Sequence, residues 1–336
     1  MSDPTRLSLP QGIRIGAHIV CVHGRCGPVL SAFEVPRGYH GRMRRSGSRS
    51  LIGCIAVASF VAGCASPPAT QGTGAIDHVV VIVEENKPAS SILGGSSAPY
   101  LNQLAGGSAL AANYAGITHP SLPNYLALTS GTTAGITRDC SPKDSGCTAN
   151  VRSIAEAVAQ SGRSWKSYAE GMPAPCHPKN SGRYAVRHNP FMYYPGVTAD
   201  QGSCAAHVVP AATLEEDLKS ASSLPDFVLL IPDLCNDMHD CSVKTGDDWL
   251  SRQVPKILAS PAFTTQNSLL VITWDEGDDS TNQCLTIFAG PAARTAVRSD
   301  APYNHYSLLH TIENVWGLPP LTENDSSAPV MGDLLK

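Results

Sequence analysis

Asp77-His78-Val79-Val80-Val81-Ile82-Val83-Glu84 is an unbroken β-branched run with charged residues at both ends. It is apolar at successive positions rather than alternate ones. That predicts a strand buried on both faces, as in a parallel sheet. Similar runs recur at Phe227-Val228-Leu229-Leu230-Ile231, Ser268-Leu269-Leu270-Val271-Ile272-Thr273-Trp274 and Leu285-Thr286-Ile287-Phe288-Ala289. Helical patterns lie between them at 98–106, 123–130, 151–161, 246–258 and 304–316. Strands alternating with helices predict an α/β fold, a three-layer α/β/α sandwich with a mostly parallel central sheet. Residues 170–210 are rich in Pro, Gly, His and Cys and read as a long insertion over one face. The body of the domain is expected at 76–320, with a C-terminal tail at 321–336.

Three of these runs end in polar residues. The first ends in Glu84-Glu85-Asn86, and the second leads through Pro232-Asp233 to Asn236-Asp237-Met238-His239-Asp240. The third ends in Asp275-Glu276-Gly277-Asp278. In open α/β sheets, ligands bind beyond the carboxyl ends of the strands. Carboxylates, an amide and an imidazole are therefore expected to converge on one edge. Such donors can hold one or two divalent ions. Hard oxygen donors suit Mg, Ca or Mn, and added imidazole admits Zn or Fe.

The chain has 336 residues, 42% hydrophobic and 15% charged, with a formal net charge of -4. No basic excess points to nucleic acid, and no acidic run points to a disordered tail. The first 64 residues differ in character. Residues 1–42 show no sustained apolar period and read as a misassigned extension, because Met43 sits where a signal peptide begins. Arg42-Met43-Arg44-Arg45, an apolar run from Leu51 to Gly63 and small residues before Cys64 read as a secretory signal at 43–64. The apolar run is shorter than the ~20 residues a membrane-spanning helix needs. Val61-Ala62-Gly63-Cys64 resembles a bacterial lipobox, which implies lipidation of Cys64 and a membrane anchor. Residues 65–75, with Ser66-Pro67-Pro68 and Gly72-Thr73-Gly74, read as a flexible tether. Beyond Cys64 there are seven cysteines, an odd number. Short-range pairing gives Cys140–Cys147, Cys176–Cys204 and Cys235–Cys241, leaving Cys284 free. Disulfides suit an exported chain.

Five motifs carry a family resemblance. They are Val83-Glu84-Glu85-Asn86, His119-Pro120-Ser121-Leu122-Pro123-Asn124-Tyr125, Asn236-Asp237-Met238-His239-Asp240, Trp274-Asp275-Glu276 and His305-Tyr306. Together they resemble the phosphoesterase family of bacterial acid phosphatases and phospholipases C, within the alkaline-phosphatase-like superfamily. The likeness extends to secreted acid phosphatases that act on phosphatidylinositol 3-phosphate. The resemblance implies Ser121 as nucleophile, forming a phosphoseryl intermediate. Ser121 is equally placed to cap a helix N-terminus, itself an anion site. Asn124 would donate to a phosphate oxygen, or else serve the turn. His119 would donate to phosphate, protonate the leaving group or form a structural hydrogen bond.

The implied metal ligands are Glu85, Asn86, Ser121, Asp275, Glu276 and His305. Asn86 stands in place of the superfamily's usual Asp, and Glu276 in place of a second His. His239 is a candidate ligand or general acid, with Asp237, Asp233 and Asp240 competing for a carboxylate role. His177, His188 and His207, with Lys179, Arg183 and Arg187, lie in the insertion and either reach the substrate or form a solvated or disulfide-held flap. Asn124 and Tyr125 after Pro123 depart from a sulfatase context. The expected function is a metal-dependent phosphomonoesterase acting on phosphomonoesters, including phosphoinositides. The rivals are a phospholipase C-type phosphodiesterase and a non-catalytic lipoprotein that keeps the fold.

Overall fold

The computed structural model describes residues 14–22, 25–33 and 75–336. The signal peptide, Cys64 and most of the expected tether lie outside the described residues. Arg14–Val22 (β1) and Arg25–Phe33 (β2) pair antiparallel as a hairpin, with Val22 opposite Arg25. The sequence reading assigned no element to residues 1–42, so this hairpin is an addition to it.

The second unit, from Ser66 onward, is built on a nine-stranded sheet. Its strands are β3 (His78–Glu84), β4 (Ala109–Ala115), β5 (Trp165–Ala169), β6 (Val208–Pro210) and β7 (Phe227–Ile231). They continue with β8 (Ser268–Trp274), β9 (Gln283–Ala289), β10 (Val297–Ser299) and β11 (Tyr303–Asn304). The order is β10-β4-β9-β8-β3-β7-β5-β6, with β11 also on β4. Only β9 runs antiparallel to its neighbours, β4 and β8. Every residue of β3, β7 and β8 is buried. Successive strand residues point to opposite faces, so helices and loops must cover both sides of the sheet. Helix Ser121–Ser130 packs on helix His305–Trp316, and helix Pro99–Gly107 packs on helix Val243–Leu258. This is the expected α/β/α sandwich, and the five expected helices form with ends shifted by at most three residues. Among the described residues no helix is long and apolar enough to cross a membrane.

Two expectations need correction. Segment 170–210 is not simply laid over one face. Tyr184, Phe191, Tyr193 and Tyr194 are almost wholly buried in the core, and Val208–Pro210 joins the sheet as β6. The end of the chain is not a free tail. Met331, Leu334 and Leu335 are buried, and the Lys336 amide donates to the Ala292 carbonyl at 3.0 Å. The disulfides are Cys140–Cys147, Cys176–Cys204 and Cys235–Cys241, and Cys284 is a buried free thiol.

The C-terminal segment is fastened by a pair of buried acids. The Asp325 carboxylate accepts the amides of Leu321 at 2.7 Å and Thr322 at 2.8 Å. Glu313, buried beside it, accepts the Leu321 amide at 3.2 Å. Burial first, then the Asp325 charge, pushes the Glu313 carboxyl up to about 9. A carboxyl whose folded pKa is raised holds its proton more tightly in the fold than in the unfolded chain. Its contribution is therefore fully present below the ordinary glutamate value and is lost as pH rises toward 9. Glu313→Gln keeps a neutral group there and should flatten this loss, with a gain on the order of 1 kcal/mol at pH 8.5. Thermal melts at pH 5 and 8.5 check it. Equal pH slopes in parent and variant would remove Glu313 from the account.

Candidate active site

Strands β8, β3 and β7 are neighbours and parallel, so their carboxyl ends open on one edge. The ladder runs on past the strand ends. The Asp275 amide donates to the Glu84 carbonyl at 3.0 Å, and the Glu85 amide donates to the Asp237 carbonyl at 2.8 Å. These two bonds place Asp275 and Asp237 on either side of Glu85. Gly116 leads into the opposing loop. A Cβ there would lie 2.9 Å from the Asp275 carbonyl oxygen, so the close approach of that loop requires glycine.

Ser121 is the first residue of helix Ser121–Ser130, follows Pro120 at the N-cap, and is only 2% exposed. Its Oγ donates to Glu85 Oε2 at 3.0 Å and lies 3.4 Å from Glu276 Oε1. Asn124 organises the turn. Its Oδ1 accepts the Ile117 and Thr118 amides at 2.8 and 3.1 Å, and its Nδ2 donates to the Thr118 and Pro120 carbonyls at 2.8 and 3.2 Å. The same amide reaches Glu276 Oε2 at 3.4 Å. The expectation that Asn124 donates to phosphate therefore gives way to a structural role, because its hydrogen-bonding capacity is spent on the turn.

Glu85, Asp275 and Glu276 are buried beside this hydroxyl, and Asp237 is buried next to Glu85. Burial is the main force raising each carboxyl above its ordinary range. Asp275 and Asp237 add to it for Glu85, and Glu276 adds to it for Asp275. Asp237 is pushed up to about 8, with the His239 amide opposing the effect of burial. Glu276 is also raised, and His119 opposes the shift. Four carboxylates this dry repel one another unless protons or a cation neutralise them.

His188, which the sequence left open as reaching the substrate or as part of a flap, enters this group. Burial holds its ring well below the ordinary histidine range, and it stacks on Tyr125 with ring centres 5.4 Å apart. Its Nε2 lies 3.1 Å from Glu85 Oε1, and its Nδ1 lies 3.3 Å from Asp237 Oδ2. Yet His188 Nε2, Glu85 Oε1, Asp237 Oδ2 and Asp275 Oδ2 make no hydrogen bond with one another or with other protein groups. The sequence signal that could have found His188 is the aromatic run Phe191-Met192-Tyr193-Tyr194, which marks its segment as core rather than flap.

The remaining candidates separate into two groups. His119 and His239 stand at the mouth. The His119 side chain is 53% exposed, with Nδ1 2.5 Å from Glu276 Oε2. His239 is held by Asp240, Nδ1 to Oδ1 at 2.7 Å, and its Nε2 accepts from Arg187 at 3.3 Å. Asp240 itself is exposed and orients His239. The other group is structural. Asp233 accepts the Cys235 and Asn236 amides and caps a turn, which takes it out of the carboxylate set. His305 is wholly buried, with Nε2 2.5 Å from the Asp275 carbonyl oxygen and Nδ1 2.9 Å from the Tyr114 hydroxyl. A carbonyl can only accept, so Nε2 carries the proton and Nδ1 accepts from Tyr114. Neither nitrogen is left for a metal, which corrects the expected ligand role: His305 steadies the backbone of Asp275. Asn86 adopts φ 42°, a left-handed conformation asparagine tolerates, and its amide donates to Asp275 Oδ1 at 3.3 Å.

Among the described residues no three acidic, imidazole or thiol groups form a ready-made metal cage. The donor set nonetheless fits a divalent cation. Buried carboxylate oxygens of Glu85 and Asp275 lack partners, and Ser121 Oγ, Asn86 and Glu276 lie beside them. Unpaired buried anions of this kind are normally compensated by a bound ion or by protons.

Sequence and fold comparisons give the family and the fold. The profile of the Phosphoesterase family matches residues 91–319. The chain is 34% identical over 294 residues to a phosphatidylinositol-3-phosphatase of Mycobacterium tuberculosis, covering 85% of this chain and 93% of that protein. It is 31% identical over 242 residues to a phosphate-repressible acid phosphatase of Penicillium chrysogenum, and spans 57% of that longer protein. In structure it resembles a protein of the alkaline phosphatase superfamily from Vibrio parahaemolyticus, with a TM-score of 0.55, 14% identity, and 77% and 71% of the two chains covered. That likeness accounts for the fold, and the profile and sequence matches show the family: the chain belongs to the Phosphoesterase family, hydrolases of phosphoric esters.

Proposed function

We propose that this chain is a metal-dependent phosphomonoesterase with Ser121 as nucleophile. The observation that carries the reading is the buried Ser121 hydroxyl at a helix N-terminus, 3.0 Å from Glu85 and 3.4 Å from Glu276. Glu85, Asn86, Ser121, Asp275 and Glu276 would hold a divalent ion, Mg, Ca, Mn, Zn or Fe by donor type. When bound, such an ion supplies positive charge for the phosphoryl oxygens and lowers the pKa of the hydroxyl. Ser121 Oγ gives its proton to Glu85, its acceptor at 3.0 Å, and forms the new bond to phosphorus as the bond to the leaving alcohol breaks. One of His119 and His239, both at the mouth, gives that alcohol its proton. Water then attacks the phosphoseryl group, and orthophosphate leaves as Ser121 regains its proton. His188 and Asp237 back the Glu85 side of the site, and Asn124 fixes the turn that aims Ser121.

The relative named a phosphatidylinositol-3-phosphatase supports a phosphoinositide among the substrates. Val61-Ala62-Gly63-Cys64 and three disulfides support an exported chain anchored in the cell envelope by lipid on Cys64. The test is a metal-reconstituted activity panel on chelator-stripped protein. Turnover of p-nitrophenyl phosphate should vanish with the metal and return with one of these ions. It should exceed turnover of bis-p-nitrophenyl phosphate by at least about tenfold, and the reverse order would assign a phosphodiesterase.

A further inference from the structure

The two histidines at the mouth are bonded differently. His239 has both ring nitrogens engaged. A guanidinium carries only donors, so Arg187 donates and His239 Nε2 accepts at 3.3 Å. The ring proton then sits on Nδ1, which donates to Asp240 Oδ1 at 2.7 Å. The other tautomer would set an N–H against the guanidinium and a lone pair against the carboxylate. Losing both bonds at once favours the observed tautomer by at least about tenfold. Free histidine in water prefers the opposite one.

Arg187 is itself held. Its Nε lies 3.4 Å from Asp139 Oδ2, and its side chain is only 21% exposed. Asp139 Oδ1 accepts the amide of Leu122, the residue after Ser121, at 3.0 Å. A continuous path therefore runs from the helix of Ser121 through Asp139 and Arg187 to His239. Disulfides brace both ends: Cys140–Cys147 begins beside Asp139, and Cys235–Cys241 encloses His239. The other titratable neighbours of His239 are Asp237 and His188. Asp237 Oδ1 accepts the His239 backbone amide at 2.8 Å, and the two imidazole rings lie 5.9 Å apart, centre to centre.

A proton donor needs a ring N–H that can face the leaving alcohol. In this tautomer His239 has none to spare. In His119, Glu276 engages Nδ1, and the half-exposed ring leaves Nε2 open at the mouth.

We propose that Arg187 is a positioning residue: with Asp240 it fixes His239 as a hydrogen-bond acceptor, which leaves His119 to protonate the leaving alcohol. As the phosphorus–oxygen bond breaks, its electron pair stays on the alcohol oxygen, and that oxygen takes the Nε2 proton of His119. The Nδ1 proton stays with Glu276, and water restores the other. The proposal rests on the phosphatase reading above and divides its proton transfers between the two rings.

Two measurements on the metal-loaded enzyme test it. Long-range proton–nitrogen NMR spectra of histidine-labelled protein are recorded at alkaline pH, where free imidazole is neutral. The His239 signals, assigned with His239→Asn, should show Nδ1 protonated in the parent and mostly Nε2 protonated in Arg187→Met. A parent with its proton on Nε2 overturns the proposal whether or not the variant folds, and so does an unchanged tautomer in the variant. The second measurement is kcat/KM on hexyl phosphate, whose alcohol needs a proton, and on p-nitrophenyl phosphate, whose phenolate leaves without one. His119→Asn should cost about a hundredfold or more on hexyl phosphate and under about tenfold on p-nitrophenyl phosphate. His239→Asn and Arg187→Met should each cost the same factor on both esters, and together no more than singly, because Arg187 acts through His239. A larger hexyl phosphate loss in His239→Asn, equal losses on the two esters in His119→Asn, or additive losses in the double variant overturns the division while the phosphatase reading stands. A parent that hydrolyses neither ester overturns both.

Discussion

Ser121→Ala should lower phosphomonoester turnover by roughly a thousandfold or more while leaving the melting temperature close to the parent's. The size follows from what is lost. The Ser121 hydroxyl is bonded to Glu85, and the proposed route passes through a covalent bond to its Oγ. The mildness toward the fold follows from position. Alanine is the best helix former, and residue 121 opens a helix whose turn is held by Asn124 and Asp139 rather than by the serine. Glu85 Oε2 loses one donor, a cost of about 1 kcal/mol that weaker repulsion after proton uptake partly offsets. Phosphate release under single-turnover conditions, beside circular dichroism melts, checks both halves. A variant that folds and keeps a tenth of the parent's rate would sink the nucleophile assignment.

The central strands were legible for a simple reason. β3, β7 and β8 are buried on both faces, so successive residues along their middles are apolar and the run stands out. β4 escaped because Ala109-Leu110-Ala111-Ala112-Asn113-Tyr114-Ala115 is alanine-rich and has weak strand character. β6, β10 and β11 have two or three residues each and exist through their neighbours. No local pattern marks such strands.

The site was legible to the same depth. Strand-end carboxylates are visible because they interrupt apolar runs, and Glu85, Asp275 and Glu276 do meet at Ser121. What a side chain bonds to is set by folds of the chain far apart in sequence. Asn124 and His305 have the right groups for phosphate or metal, but the Thr118 carbonyl and the Asp275 carbonyl use them instead. His188 shows the converse. Arg187-His188-Asn189-Pro190 reads as polar loop, and only its packing beneath Tyr125 turns it toward Glu85.

Glu85→Gln should reverse the usual order of a damaged enzyme: activity falls by about a hundredfold or more, and the metal-free protein becomes more stable. Glu85 is fully buried, and burial first, then Asp275 and Asp237, raises its carboxyl. A raised carboxyl contributes most to stability when protonated, and that contribution is lost as pH rises through its folded value. Glutamine never ionises, still offers an acceptor to Ser121, and removes one member of a repelling group. The gain without metal should be on the order of 1–2 kcal/mol at pH 8 and small at pH 4. With a divalent ion the order should invert. An ion at a hundred times its Kd stabilises the parent by about 2.7 kcal/mol, and the variant, short of one anionic ligand, gains much less. Melting curves of both proteins, with chelator and with ion, make the comparison. If the variant melts below the parent in chelator, or gains as much from the ion, Glu85 is neither the source of the repulsion nor a ligand.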